Sequence, residues 1–314
     1  MSAPDLLSVG EAFEDFIFVG LDRLPRLGEE VKTSVFFRSI GGGAVITAVA
    51  AARLGIRTRV VSGLSRDAVA RLRREHVQVA NLRRDGEPHA LTASMSTRSN
   101  RAFVTFNGVN DALEERLPAA LDGVRTRHAH FAFFPRDCGR WERLVGVLRA
   151  RGIGTSWDFG WSEALLADRR FPYLVNALDW VFFNEQEAVL YARRLHLDAA
   201  LALWRAHPRN VVVKMGARGS RILSGGTELH AAPTRVRVVD TTGAGDAFNG
   251  GFLVGLLRGC SPRTCLQIGN FVGAMSCRVP GGIDGLPTRN GLPAALARRV
   301  GPAKTPGATR RPGR

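Results

Sequence analysis

Short apolar runs recur along the chain, separated by segments whose apolar positions fall three and four residues apart. Leu6-Leu-Ser-Val-Gly10 reads as a buried first strand. Phe16-Ile-Phe-Val19 and the partly alternating Glu30-Val-Lys-Thr-Ser-Val-Phe-Phe37 flank a turn holding Pro25 and Gly28, a pattern that predicts a hairpin-like flap. Gly41-Gly-Gly43 leads into an alanine-rich helix that Gly55 closes. Thr58-Arg-Val-Val-Ser62 is a strand, and the basic helix from Ala68 to about Glu75 presents a solvated face. Two alternating strands within residues 90–106 surround Ser99-Asn100-Arg101.

Beyond residue 126 the alternation becomes regular. Arg127 to Phe133 reads as a strand, Cys138 to Arg151 as an amphipathic helix closed by Gly152, and Ile153 to Trp157 as a strand ending at Asp158. Trp180-Val-Phe-Phe183 and Asn210-Val-Val-Val-Lys214 are further buried strands. Strands alternating with helices predict an α/β fold, a mostly parallel sheet covered on both faces. Ligands bind such sheets beyond the carboxyl ends of the strands, where Asp158, Asn184 and Asp246 are expected.

One further unit changes the picture from architecture to chemistry. The β-branched run Arg235-Val-Arg-Val-Val239 predicts a strand, Asp240-Thr-Thr-Gly-Ala-Gly-Asp246 a glycine turn, and Phe248, Phe252, Leu253, Leu256 and Leu257 a helix. Gly243 and Gly245 keep side chains out of the turn, and the first amides of the helix have no carbonyl partners, so they form a ready anion site. Asp246 either caps that helix or takes a proton from something held beside the anion. The stretch is neither a dinucleotide fingerprint, since Phe248 stands at the third glycine position, nor a Walker A loop. Asn184-x-x-Glu187 has the spacing of a capping box.

Composition narrows the classes. A chain of 314 residues suits one large α/β domain, and 45% apolar with 23% charged residues is ordinary for a globular protein. No apolar run approaches a membrane span, and the start lacks the plan of a signal peptide, so a cytoplasmic location without a membrane partner is expected. Cys138, Cys260, Cys265 and Cys277 show no Cys-x-x-Cys pairing and read as reduced thiols. The net charge of +16 rests almost wholly on arginine, since the lysines are only Lys32, Lys214 and Lys304. Such a field attracts anionic nucleotides, and a nucleic-acid partner is not expected. Residues 301–314 have no apolar pattern and are expected to be a disordered basic tail to a domain spanning 1–300. Monomer and homodimer both remain open.

Residues Asp240 to Phe252 resemble, almost without interruption, the C-terminal signature of the ribokinase (PfkB-type) family of carbohydrate and nucleoside kinases. Gly41 to Gly55 resembles the N-terminal signature, and the resemblance runs from Gly10 to about Gly282. It implies a ribokinase-like three-layer α/β/α fold with a small β lid formed by residues 16–37 and 90–106. It also implies transfer of the γ-phosphoryl of ATP to a hydroxyl of a sugar or nucleoside acceptor. On that resemblance Asp246 is the base, and Gly243, Ala244 and Gly245 frame the anion hole. Asp15, Gly41, Gly42, Gly43 and Arg101 face the acceptor, and Lys214, Gly216, Gly219 and Asn270 face the nucleotide. Asn184 and Glu187 help hold Mg²⁺, largely through water, and Asp240 borders a site for a monovalent cation. The chain departs from the family pattern at Ile46, where relatives carry an asparagine that contacts the sugar, and at Lys214, where they carry a threonine. These departures keep open a nucleoside kinase, and a catalytically silent protein that binds sugar or nucleotide.

Overall fold

The computed structural model describes residues 3–97 and 101–301. The basic tail beyond Gly301, Ser99 and Asn100, and the side chain of Arg101 lie outside the described residues. In chain order the strands are β1 (Leu6–Gly10), β2 (Phe13–Leu21), β3 (Val35–Gly41), β4 (Thr58–Ser62), β5 (Gln78–Asn81), β6 (Leu91–Thr97) and β7 (Arg101–Phe106). They continue with β8 (His128–Ala132), β9 (Gly154–Asp158), β10 (Trp180–Asn184), β11 (Asn210–Lys214), β12 (Ser220–Ser224) and β13 (Thr227–Ala231).

Nine of these form one sheet in the order β13-β12-β11-β10-β9-β8-β1-β4-β5. Every pair from β11 to β5 is parallel, and β12 and β13 close one edge antiparallel. Alternation along each strand sorts its apolar side chains between two cores. Leu6, Phe182 and Val212 pack with the helices Gly43–Arg53, Ala244–Leu257 and Pro262–Ser276 on one face. Leu7, Val9, Val181, Phe183, Val211 and Val213 pack with Trp141, Trp157 and Trp204 on the other. Because both faces are buried, the strands read as unbroken apolar runs rather than alternating ones.

The remaining strands make a second sheet, ordered β3-β2-β6-β7. The β2–β3 and β6–β7 pairs are antiparallel, as the flap pattern predicted, and they join through a parallel β2–β6 pair. The first half of the run from Glu30 is not strand. Thr33 Oγ1 donates to the Val19 carbonyl at 2.5 Å and accepts from the Val35 amide at 3.1 Å, so the connection is still turning until β3 begins. The four cysteines are free thiols, and among the described residues no helix is long and apolar enough to cross a membrane.

The predicted strand over residues 235–239 is not formed. Residues 232–238 belong to no strand or helix, and Val238 and Val239 are more than half exposed. The sheet has already ended at Ala231, and the segment is tethered instead to the end of the Pro262–Ser276 helix, where the Val239 and Asp240 amides donate to the Cys277 carbonyl at 2.7 and 3.2 Å.

One side chain fastens the first helix to the C-terminal segment. Arg53 donates two bonds of 2.8 Å to Glu75 and two more to the carbonyls of Ile283 and Leu286, at 3.0 and 2.7 Å. Truncation leaves Glu75 with Arg71 as its partner and strands two carbonyls, so Arg53→Ala is expected to cost about 1–3 kcal/mol. Urea unfolding with an unchanged midpoint would show that these bonds contribute nothing net.

Candidate active site

Parallel register places the ends of three strands side by side. Asp158 pairs with Phe182 across β9 and β10, and Asn184 pairs with Lys214 across β10 and β11. These ends open on a cavity of about 820 Å³, walled elsewhere by Gly216, Gly219, the irregular segment after β13, the Ala244–Asp246 turn, and Asn270, Gly273 and Ala274 of the last long helix. The unpaired segment 232–238 thus serves as a cavity wall, with Val236 and Val238 lining it.

The Gly243 backbone adopts φ 70°, a left-handed angle that a β-carbon resists, and is the N-cap of the helix Ala244–Leu257. Asp246 lies in the first turn, yet no side-chain cap bond forms at this terminus. The N-cap position itself is Gly243, so Asp246 does not occupy it. The Ala244 amide donates to the Thr241 carbonyl at 3.2 Å. That occupies, inside the turn, one of the amides expected to serve an anion.

Behind the turn stands a buried ion pair. Lys214 Nζ donates to Asp158 Oδ2 at 2.5 Å, and Asn249 Nδ2 donates to the same oxygen at 2.6 Å. A β-carbon built on Gly245 would lie 3.1 Å from Lys214 Nζ, so the ammonium sits directly beneath the glycine turn. Lys214, expected from the resemblance to face the nucleotide, lines the cavity and is paired with Asp158. Burial penalises Asp158, but Lys214 and Asn249 hold its carboxyl below the usual range. Burial also disfavours the Lys214 ammonium, and Asp158, Glu187 and Asp246 together more than offset this. One cation cannot balance three carboxylates. Burial, reinforced by Asp158, pushes Asp246 up to about 7 and Glu187 likewise to about 7.

Asn184 and Glu187 form the predicted capping box. Asn184 Oδ1 accepts from the Glu187 amide at 2.8 Å, and Glu187 Oε2 accepts from the Asn184 amide at 2.8 Å. Both still line the cavity. Among the described residues no three acidic, histidine or cysteine side chains converge as a metal cage. The surplus of carboxylates over ammonium, in a cavity with room for water, matches an ion such as Mg²⁺ that keeps much of its hydration.

Close approach explains the glycines before the first helix. A β-carbon on Gly41 would lie 2.1 Å from Asp15 Oδ2, and one on Gly43 would meet the Ala132 side chain at 2.7 Å and Asp246 Oδ1 at 3.0 Å. Gly43 and Asp246 are thus neighbours across the site. Gly42, at φ 95°, serves as the N-cap between them. Asp15 is buried on β2, and burial together with Asp240 pushes its carboxyl up to about 7. Asp240 accepts from the Thr242 amide and hydroxyl at 2.9 and 2.7 Å and from the Gly281 amide at 2.9 Å, which braces two turns. Asn270 lines the cavity but directs its amide to the carbonyls of Ala231 and Ala232. Ile46, which stands where relatives carry an asparagine, is buried. Its Cδ1 would lie 2.5 Å from a β-carbon on Gly243 and 2.4 Å from one on Gly282, so it wedges between the two turns. Sequence reasoning set Asp158 on the rim but gave it no role; its position at a strand end was the available signal.

Residues 3–289 match the family described as pfkB family carbohydrate kinase. An uncharacterized sugar kinase of Archaeoglobus fulgidus is 48% identical over 257 residues, covering 75% of this chain and 97% of that protein. A nucleoside kinase of Methanothermobacter thermautotrophicus is 28% identical over 290 residues, covering 87% and 88%. The ribokinase of Cryptococcus neoformans, solved in complex with ADP, superposes with a TM-score of 0.77 at 19% identity, over 95% of this chain and 100% of that one.

The charge balance makes a test that needs no substrate. Lys214 lowers the Asp246 pKa and Asp158 raises it. Lys214→Met is expected to move the Asp246 titration midpoint upward, and Asp158→Asn downward. Carboxyl ¹³C chemical shifts followed across pH would read both; shifts of the same sign would contradict the arrangement.

Proposed function

The chain belongs to the pfkB family of carbohydrate kinases, and on that premise we propose that it moves the γ-phosphoryl of ATP onto a hydroxyl of a sugar or sugar-like acceptor with Asp246 as the base. The observation that carries this reading is an aspartate in the first turn of a helix that does not cap it and stands beside Gly43 at the cavity. Its carboxyl is pushed up to about 7 by burial and Asp158, close to the pH at which a general base works best.

ATP occupies the cavity between Lys214, Gly216, Gly219 and the segment 233–238, with its base toward Asn270 and its phosphates toward the glycine turn. Phosphoryl transfer asks the protein mainly for alignment and charge stabilisation. The amides of Gly245 and Asp246 face the transferred group, and one such donor is worth roughly 3–4 kcal/mol in comparable sites. Lys214, directly beneath them, adds fixed positive charge. Asn184 and Glu187 would hold Mg²⁺ through its water, and the ion would supply neutralisation of the phosphates. Asp15 and the Gly41–Gly43 backbone orient the acceptor so that its hydroxyl meets Asp246. The small sheet acts as a lid that keeps water from the phosphoryl group.

Asp246→Asn is expected to retain ATP binding and to lose at least about a hundredfold in acceptor-dependent ADP release. For the unmodified protein, kcat/KM should rise with pH through about 7, as the Asp246 carboxyl loses its proton. Turnover by Asp246→Asn within a few fold of the parent would remove the assigned base. Acceptor-dependent ADP release also separates an active kinase from a protein that only binds.

A further inference from the structure

A second concavity, a groove of about 850 Å³, shares three segments of wall with the cavity of the candidate active site. In the first, Asp158 and Gly160 line the cavity and Trp161 lines the groove. In the second, Asn184 and Glu187 line the cavity, and Glu185 and Gln186 line the groove. In the third, Gly216, Ala217 and Gly219 line the cavity and Arg218 lines the groove. The volume falls within the range of small-molecule sites, about 300–1,000 Å³.

The groove is held in shape by the protein itself. Tyr191 Oη, at the end of the helix Glu185–Tyr191, donates to the Gly160 carbonyl at 2.5 Å and accepts from the Ser162 amide at 3.1 Å. Arg193 donates to the Leu166 carbonyl, so the loop that carries Trp161 is pinned to that helix at both ends. Leu166, Val189, Leu190 and Leu197 give the groove an apolar lining, and the half-exposed indole of Trp161 adds a flat aromatic surface. Its charge is lopsided. Arg193, Arg194 and Arg218 line it against one carboxylate, Glu185, which pairs with Arg218. Arg193 stands at φ 51°, a left-handed position after a helix where glycine or asparagine is usual, and it brings a guanidinium to the groove instead. Among the described residues neither Arg193 nor Arg194 meets a carboxylate, and Arg194 donates to the Arg193 carbonyl at 3.2 Å. Guanidinium groups bind phosphate and carboxylate through paired hydrogen bonds, and aromatic and aliphatic side chains cover a flat apolar body. A neutral ligand would leave two arginines unanswered, and a wholly polar anion would leave the indole and the leucines uncovered.

We propose that this groove is a second ligand site, for a small organic anion with an aromatic body, and that its occupant weakens nucleotide binding. The coupling runs through Arg218. Its pair with Glu185 ties the turn Gly216–Arg218 to the helix that carries Glu187, and that turn also lines the active-site cavity. Exposed ion pairs of this kind contribute little, so an anion readily takes Arg218 from Glu185 and frees the turn. The coupling rests on the kinase reading above; the site does not.

The test titrates the full-length protein with phenyl phosphate and reads tryptophan fluorescence, with and without a non-hydrolysable ATP analogue and Mg²⁺. Inorganic phosphate and phenol are controls that each carry one of the two features. Phenyl phosphate is expected to quench the fluorescence saturably and to bind at least about tenfold more tightly than either control. Trp161→Phe is expected to lose most of that quench, since Trp141, Trp157 and Trp204 are buried and Trp180 packs against the core on the other face of the sheet. Arg194→Ala, at an exposed position, is expected to weaken phenyl phosphate at least about fivefold. Calorimetry of the analogue is expected to show its Kd raised about fivefold to a plateau as phenyl phosphate saturates, with the reciprocal effect on phenyl phosphate. Phenyl phosphate bound no better than inorganic phosphate, or unaffected by Arg194→Ala, overturns the site. An analogue Kd that climbs without a plateau shows binding in the active-site cavity itself and overturns it too. An unchanged analogue Kd beside an intact quench overturns the coupling. An analogue that fails to bind sinks the kinase reading, and the titration of the nucleotide-free protein still decides the site.

Discussion

The site depends on the pairing of Lys214 with Asp158 beneath the glycine turn. A lone buried ammonium or carboxylate is costly, and each here is tolerable because the other is within hydrogen-bond distance. The pair alone would be neutral. Adding Asp246 and Glu187 leaves the cluster short of positive charge, so the carboxyls furthest from the ammonium hold their protons up to about 7. The same shortage of positive charge is what the proposed function relies on to bring a cation to the cavity.

That arrangement is held by strand register on one side and by close approach on the other. Asp158, Asn184 and Lys214 end neighbouring parallel strands, so their relative heights are set by the sheet. Asp246 is brought to them from a helix packed across the sheet, and its distance is set by glycines. The helix Ala244–Leu257 touches the first helix so closely that a β-carbon on Gly250 would fall 2.6 Å from the Ala50 side chain. Thr47 Oγ1 donates to the Asp246 carbonyl at 3.1 Å, which ties the two helices at the level of the site. Ile46 completes the same junction by filling the space between Gly243 and Gly282. An apolar branch there supports the turn's shape, where an amide would have addressed the acceptor directly.

Sequence alone determined the alternation of strands and helices, the two-sided burial of the sheet, the flap, the capping box at Asn184 and Glu187, and the glycine turn leading to Asp246. Those features are local: they follow from side-chain period, backbone freedom and short-range hydrogen bonding, which neighbouring residues set without reference to the rest of the chain. Two local patterns misled: the run from Glu30, which becomes strand only at Val35, and Arg235 to Val239, because β-branched residues favour a strand only where a partner edge exists, and the sheet has closed by Ala231. Tertiary structure alone decided which charges meet. Lys214 and Asp158 are separated by 56 positions in the chain, and Asn249 and Asp158 by 91. No spacing rule links them, so the pairing of Lys214 with Asp158, and the place of Asp246 beside that pair, became visible only when the sheet and its covering helices were in place.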